Sequence, residues 1–135
     1  MIGEMTNHGG GLGRVRALGQ ALADGGRLRV LLALRGRELC ACEIMALLGL
    51  AAATVSRHMA ILQAAGLVTA RKAGRWVHYR LATPAPAAEL LKWLDQELAA
   101  DPQIQADQEA LGRQASCTAA TRVAARRIAA LNDKE

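Results

Sequence analysis

Two cysteines separated by one alanine, Cys40 and Cys42, are the residues of this chain with the clearest chemical potential. Thiolate sulfur is the ligand that soft metal and metalloid ions select, so the pair predicts a soft-ion site. A structural disulfide is disfavoured, because the sequence has no secretory features and disulfides are rare in reducing compartments. The alternative is that each cysteine only fills space in the core, as buried cysteines often do.

The spacing of the pair restricts the backbone that can carry it. Residues i and i+2 of an ideal α-helix point about 200° apart, so two fully helical cysteines at this spacing cannot share one ion. We therefore expect Cys40 in an extended approach and Cys42 in the first turn of a helix. The positive end of the helix dipole would also favour the thiolate form there.

Aliphatic residues at helical spacing predict two scaffold helices ahead of the cysteines. The first begins near residues 12–14, and the second is capped by Asp24 and ends near Gly36. The apolar stripe of the first helix consists of Leu12, Val15, Leu18 and Leu22.

A helix-turn-helix pattern includes the cysteine segment. Residues 39–49 and about 51–65 carry apolar residues at helical spacing, and Gly49 separates them. Two short helices joined by a tight turn with a glycine are typical of this DNA-binding unit. The second helix is the one expected to enter a DNA groove.

Strand-like segments follow the second helix. Residues 67–72 and 76–81 are strand-like, with the turn 73–75 between them, which predicts a basic β-hairpin in the position of a wing. A further helix is expected over about residues 87–100, and its leucine stripe is interpreted as a dimerisation surface. That stripe consists of Leu90, Leu91, Leu94 and Leu98.

Composition and charge restrict the class of protein. A chain of 135 residues fits one core, and with 2% aromatic residues and no Phe that core is thin, so we expect a homodimer. A net charge of +5 favours an anionic partner, and nucleic acid is preferred because cations flank the helix-turn-helix. No apolar run of about 18 residues and no signal peptide are present, so we expect no membrane contact and a cytoplasmic location.

These patterns divide the chain into three segments. Residues 1–13 are expected as a flexible N-terminal arm and residues 14–100 as a winged helix-turn-helix domain for DNA binding and dimerisation. Residues 101–135 are expected as a helical C-terminal extension that carries Cys117.

Two segments resemble one family of proteins closely. ELCACEI at residues 38–44 and TVSRHMAILQAAGLV at residues 54–68 are similar to the ArsR/SmtB family of bacterial metalloregulatory repressors, in particular its arsenic-responsive branch. The resemblance spans about residues 14–100. It implies a mainly α fold with a small β-hairpin, namely a winged helix-turn-helix. It also implies a homodimer that binds an inverted-repeat operator DNA and leaves it when an ion binds.

The resemblance also implies a ligand set. As(III) or Sb(III) would act as inducer, bound by Cys40 and Cys42, and no obligatory cofactor is expected. Arsenic sensors of the family often carry a further cysteine where this chain has Met45, so the third thiolate is assigned to Cys117. A role for Cys117 as an ordinary helix residue is an equal alternative.

The expected DNA contacts lie on the second helix of the motif and on the wing. Arginine can address guanine or phosphate, and serine can donate to either. The family often has polar residues before Thr54, whereas this chain has three alanines there. His58 is the residue that could instead border the core. The predicted set is Thr54, Ser56, Arg57, His58, Arg71, Lys72 and Arg75.

Other functions remain open at this point. Cd(II) or Zn(II) sensing is one alternative, although zinc prefers four ligands and residues 87–100 contain no histidine. A thiol redox switch that uses Cys40 and Cys42 is another. An enzyme is not expected, since no set of nucleophile, base and orienting residue appears and no glycine-rich phosphate loop follows a strand.

Overall fold

The computed structural model describes residues 10–82 and 85–113, with side chains described in the same ranges except at 85–87. Within these ranges the chain forms mainly helices and a small antiparallel sheet, which confirms the predicted winged helix-turn-helix fold. The elements are α1 (Gly11–Leu22), α2 (Gly25–Ala33), β1 (Leu39–Cys40), α3 (Ala41–Leu48), α4 (Ala52–Ala64), β2 (Val68–Ala73), β3 (Trp76–Leu81), α5 (Ala85–Leu98) and α6 (Pro102–Gly112).

The scaffold helices differ from the sequence prediction in one respect. Asp24 caps α2 as expected, because its carboxylate accepts the N–H of Arg27 at 3.2 Å. The predicted apolar stripe of α1 is only half used, since Leu12 and Val15 are 78% and 65% exposed. Helical spacing alone does not tell whether the far end of a stripe has a partner in the same chain.

The leucine stripe of α5 packs on this chain's own core. Leu94 is buried, and its three leucine neighbours on the stripe are partly buried against the same cluster. The role of the stripe as a dimerisation surface stays a prediction, because three of its leucines are only partly buried. The large apolar side chains that are exposed, among the described residues, are Leu12, Val15 and Trp93.

Helices α3 and α4 form the helix-turn-helix. Gly49 ends α3 in the left-handed conformation, and the two helices bend by 108° across the short turn. That angle lies within the range of about 90–120° that DNA-binding units of this kind adopt. In the described ranges no single helix is long and apolar enough to cross a membrane, and this bent pair meets that test only when its two helices are taken together.

The sheet has the strand order β1-β3-β2, so the predicted hairpin is present and gains a third strand. Residue Leu39 pairs with Tyr79, and Cys40 pairs with His78. On the other side of β3, His78 pairs with Arg71. The cysteine segment is therefore hydrogen-bonded directly to the wing.

Helix α6 packs on α2 through polar contacts. Arg29 donates to both carboxylate oxygens of Asp107, at 2.9 and 2.8 Å, and Asp107 is buried. Gln108 donates to the carbonyl of Leu32 at 3.2 Å. The described part of the predicted extension, α6, thus packs on α2, and the division at residue 100 stays a prediction.

Candidate thiol site and nucleic-acid interface

Cys40 lies at a change of backbone conformation. It is the last residue of β1 and the N-cap of α3, with extended dihedral angles of φ −83° and ψ 161°. Cys42 follows in the first turn of α3. This is the extended approach and helical turn that the one-residue spacing predicts, and both side chains are fully buried.

The structure joins the two cysteines as a disulfide, with their Cα atoms 5.4 Å apart. The expectation that they occur as thiols and are poor disulfide partners is therefore wrong for this structure. Cysteines at this spacing diverge only within a regular helix, whereas the turn at Cys40 brings both sulfurs together. A shared ion needs the same convergence.

Glu43 holds the backbone of Cys40 in place. The N–H of Cys40 donates to Oε1 of Glu43 at 2.8 Å, in a buried environment. An acid three residues after the N-cap is the second half of a capping box, with cysteine at the position that serine or threonine usually takes. Sequence reasoning missed this residue, although the spacing of Glu43 from Cys40 was a signal for it.

A third ligand for the pair lies outside what the structure describes. In residues 10–82 and 85–113, no group of three or more His, Cys, Asp or Glu side chains is arranged to hold a metal ion. Cys117 falls outside the described residues. Its role as a ligand therefore stays a prediction.

The recognition helix α4 separates a buried face from an exposed one. Val55, Met59 and Leu62 are buried as predicted. Ser56 and Arg57 are exposed, and Thr54 is partly exposed. Serine and arginine are thus available on the surface of the helix that would meet DNA.

His58 does not face outward with them, and that expectation is wrong. Its residue is only 8% exposed, and Nη1 of Arg27 donates to its Nδ1 at 3.0 Å. Its Nε2 lies 3.7 Å from a carboxylate oxygen of Asp24. Because it follows the buried Val55 by three residues, His58 borders the core and ties α4 to the start of α2.

Burial and the neighbouring charges shift the pKa of His58. Desolvation lowers the pKa of His58, and the nearby charges of Arg27 and Arg57 act in the same direction, whereas Asp24 opposes them. Burial would raise the pKa of Asp24, but the N–H of Arg27 and the charges of His58 and Arg27 outweigh it, and the pKa is lowered. The folded structure therefore lowers the pKa of His58 and that of Asp24.

The predicted wing cations are exposed, as a DNA-facing surface requires. Lys72 and Arg75 are exposed side chains at and near the hairpin turn. Arg71 is also exposed, but it makes a two-point ion pair with Glu38, with Nε–Oε2 at 3.1 Å and Nη2–Oε1 at 2.7 Å. That hydrogen bond from Arg71 lowers the pKa of Glu38 below its usual value.

Replacing Glu43 tests its role at the cysteine turn. Glu43→Ala leaves the buried N–H of Cys40 without this acceptor, and we expect a loss of about 1–3 kcal/mol in the free energy of unfolding. Glu43→Gln keeps an acceptor oxygen and should lose less. Urea denaturation of the reduced protein measures both, with Glu109→Ala on the exposed face of α6 as the control. Equal stability of Glu43→Ala and the control would contradict the role.

The lowered pKa of His58 predicts a pH dependence of stability. The unfolded chain binds this proton more tightly than the folded protein, so the free energy of unfolding falls as pH drops below the usual histidine value of 6.5. One proton limits the slope to about 1.4 kcal/mol per pH unit. Denaturation at several pH values from about 5 to about 7.5, which extend about one unit or more to either side of the usual histidine pKa, measures it.

In His58→Gln this part of the slope should disappear, because the side chain no longer titrates. His78→Gln is the matched control for the loss of one histidine, since His78 is only partly buried. An unchanged slope in His58→Gln would show that burial of the imidazole does not contribute to the pH dependence.

Comparison with known proteins agrees with this geometry. The sequence profile of the group described as "Bacterial regulatory protein, arsR family" matches residues 24–70, which run from the cap of α2 into the wing. A solved structure of HlyU from Vibrio cholerae superposes with a TM-score of 0.57 and 29% identity, over 64% of this chain and 92% of that one.

Two curated relatives show the extent of the similarity. The "Arsenical resistance operon repressor" of Escherichia coli is 45% identical over 67 aligned residues. These residues make up 49% of this chain and span 57% of that protein's length. The "HTH-type transcriptional regulator CmtR" of Mycobacterium bovis is 40% identical over 62% of this chain and 71% of its own length. The chain belongs to the ArsR family of bacterial regulatory proteins, which are helix-turn-helix transcriptional regulators and not enzymes.

Proposed function

We propose that this protein is a transcriptional repressor that leaves an inverted-repeat operator DNA when As(III) or Sb(III) binds to the thiolates of Cys40 and Cys42. The observation that carries the proposal is the convergence of these two sulfurs at the first turn of the helix-turn-helix. The similarity to an arsenical resistance repressor supports the choice of ion. A repressor of this kind acts in the cytoplasm, where its DNA lies.

The ligand chemistry requires the reduced pair. A cellular dithiol reduces the disulfide by two electrons and two protons and is itself oxidised to a disulfide. Each protein thiol that then bonds arsenite, As(OH)₃, releases one water molecule. Two bonds come from Cys40 and Cys42, and we assign the third to Cys117. Soft sulfur ligands favour such an ion over harder ones.

The proposed DNA contacts come from two elements. Ser56 and Arg57, with Thr54 beside them, would meet base edges or phosphates from α4. The exposed cations of the wing, Arg71, Lys72 and Arg75, would meet phosphates. His58 holds the recognition helix against α2 instead of touching DNA.

A homodimer would give the protein the symmetry of an inverted repeat. Leu12, Val15 and Trp93 are large apolar side chains that the described part of the chain leaves exposed, which supports a second copy as their cover. Two-fold symmetry then sets half-sites about one helical turn of DNA apart, or a multiple of it.

Release of DNA follows from the position of the thiols. Arsenic with three sulfur ligands forms a pyramid, so the turn that places Cys40 against Cys42 must rearrange to admit the ion. Helix α3 begins at this turn and packs on α4, so its displacement moves the recognition helix. Ion binding and DNA binding are then coupled, in both directions.

A thiol redox switch is the second candidate function. The disulfide between Cys40 and Cys42 in the structure favours it, because oxidation of the same pair would alter the same turn. In this case peroxide supplies the oxidant, the two thiolates lose two electrons, and a reductant reverses the change.

The test measures DNA affinity by fluorescence anisotropy on an inverted-repeat duplex selected from random sequences by the reduced protein. Arsenite, cadmium, zinc and peroxide are added separately. We expect arsenite to weaken DNA binding by a factor of about 5–150, the usual range for coupled sites. Cys40→Ser and Cys42→Ser should abolish this response, and Cys117→Ser should reduce it.

Ala41→Ser is the matched control, since it adds a hydroxyl in the same turn and leaves both thiols. Release by arsenite that survives the loss of both Cys40 and Cys42 would contradict the proposed site. Release by peroxide alone, reversed by reductant, would favour the redox candidate instead.

A further inference from the structure

Glu38 is an acidic residue inside the basic surface of the wing. Its carboxylate makes the two-point ion pair with Arg71 and lies 4.0 Å from Nδ1 of His78. The charge of Arg80 acts on it as well. These residues, with Thr69 and Ala70, line a depression of about 190 Å³ on the sheet. The proposed DNA contacts do not account for this carboxylate.

Glu38 directly precedes β1, the strand that joins the cysteine segment to the wing. Cys40, His78 and Arg71 are neighbours in one row across β1, β3 and β2. Glu38 precedes Cys40 by two residues, the repeat at which an extended chain returns to the same face. A change in the backbone conformation of Cys40 is therefore expected to move Glu38, which lies only two residues earlier. Moving Glu38 changes its ion pair with Arg71.

The ion pair competes with DNA for the same donors. A guanidinium presents one planar set of N–H groups, which fits a carboxylate or a phosphate at two points. While Arg71 donates through Nε and Nη2 to Glu38, those two donors are not available to a phosphate. The pair is exposed, with 59% of the Arg71 side chain accessible, and exposed ion pairs are weak enough for a polyanion to displace.

We propose that Glu38 competes with DNA phosphate for Arg71, and that the state of the Cys40 and Cys42 pair controls this competition through β1. Glu38 is thus an affinity-determining residue of the DNA interface, although it carries the wrong charge to bind DNA itself. The inference rests on the proposed function and adds a second connection between the thiols and DNA, beside the one through α3 and α4.

The test compares Glu38→Gln with the unaltered protein in DNA binding at several salt concentrations. We expect Glu38→Gln to bind the selected duplex about three- to tenfold more tightly at low salt, since one ion pair no longer has to be displaced. The slope of log affinity against log salt concentration should become more negative by about one, which corresponds to one additional phosphate contact. Arsenite should also release Glu38→Gln less completely.

Two controls separate this effect from a general loss of negative charge. Glu109→Gln makes the same charge change on an exposed residue of α6, outside the sheet, and should leave DNA affinity within about twofold. Arg71→Gln should weaken binding, and in the Arg71→Gln background the substitution Glu38→Gln should have no further effect. Circular dichroism of each variant checks that the fold is retained.

The outcomes are distinguishable. A tighter Glu38→Gln complex that depends on Arg71 and responds less to arsenite supports the inference. Unchanged affinity, a gain that persists without Arg71, or a full arsenite response would overturn it while the proposed function stands. If the unaltered protein does not bind the duplex, or binds it and ignores arsenite and peroxide, the proposed function fails first.

Discussion

The change from extended to helical backbone at Cys40 is the constraint on which the rest of the structure depends. The N–H of Cys40 donates to Glu43, which fixes the N-cap of α3 and sets the first residue of the helix-turn-helix. The same turn brings the sulfur of Cys40 to that of Cys42. It also ends the short strand that pairs Cys40 with His78. One residue thus belongs to a thiol pair, a helix cap and a sheet.

Polar contacts connect the helices around this turn, in addition to the aliphatic core. Arg27 donates to His58 and so holds the recognition helix against α2. Arg29 donates to Asp107 on α6 and to the carbonyl of Leu47 near the end of α3, at 3.3 Å. Hydrogen bonds of this kind are directional, so they fix how these helices are oriented against one another.

Local patterns in the sequence predicted the elements that local interactions define. The helices followed from aliphatic spacing, the turn from Gly49, and the wing from two strand-like segments around Gly74, whose φ is +62°. The conformations of Cys40 and Cys42 followed from their spacing alone. The third strand was missed, because a strand of two residues is defined by its partner β3 and not by its own pattern.

The sequence alone also did not predict the roles of residues whose partners lie far away along the chain. His58 lies at the edge of the buried face of α4, where a small rotation of the helix decides between DNA and the core. The pairing of Arg71 with Glu38, and of Arg29 with Asp107, joins segments that no periodicity relates. The packing of the α5 stripe on this chain's own core likewise depends on contacts between distant segments, such as α2 with α5.

The central claim is that the thiol pair and the DNA interface are coupled through the turn at Cys40. Coupling must be reciprocal, so DNA has to weaken arsenite binding by the same factor by which arsenite weakens DNA binding. The direct measurement is the arsenite affinity of the reduced protein, by calorimetric titration, free and saturated with the selected duplex. We expect the DNA-bound protein to bind arsenite more weakly than the free protein by that factor. Equal arsenite affinity in the two states would contradict it.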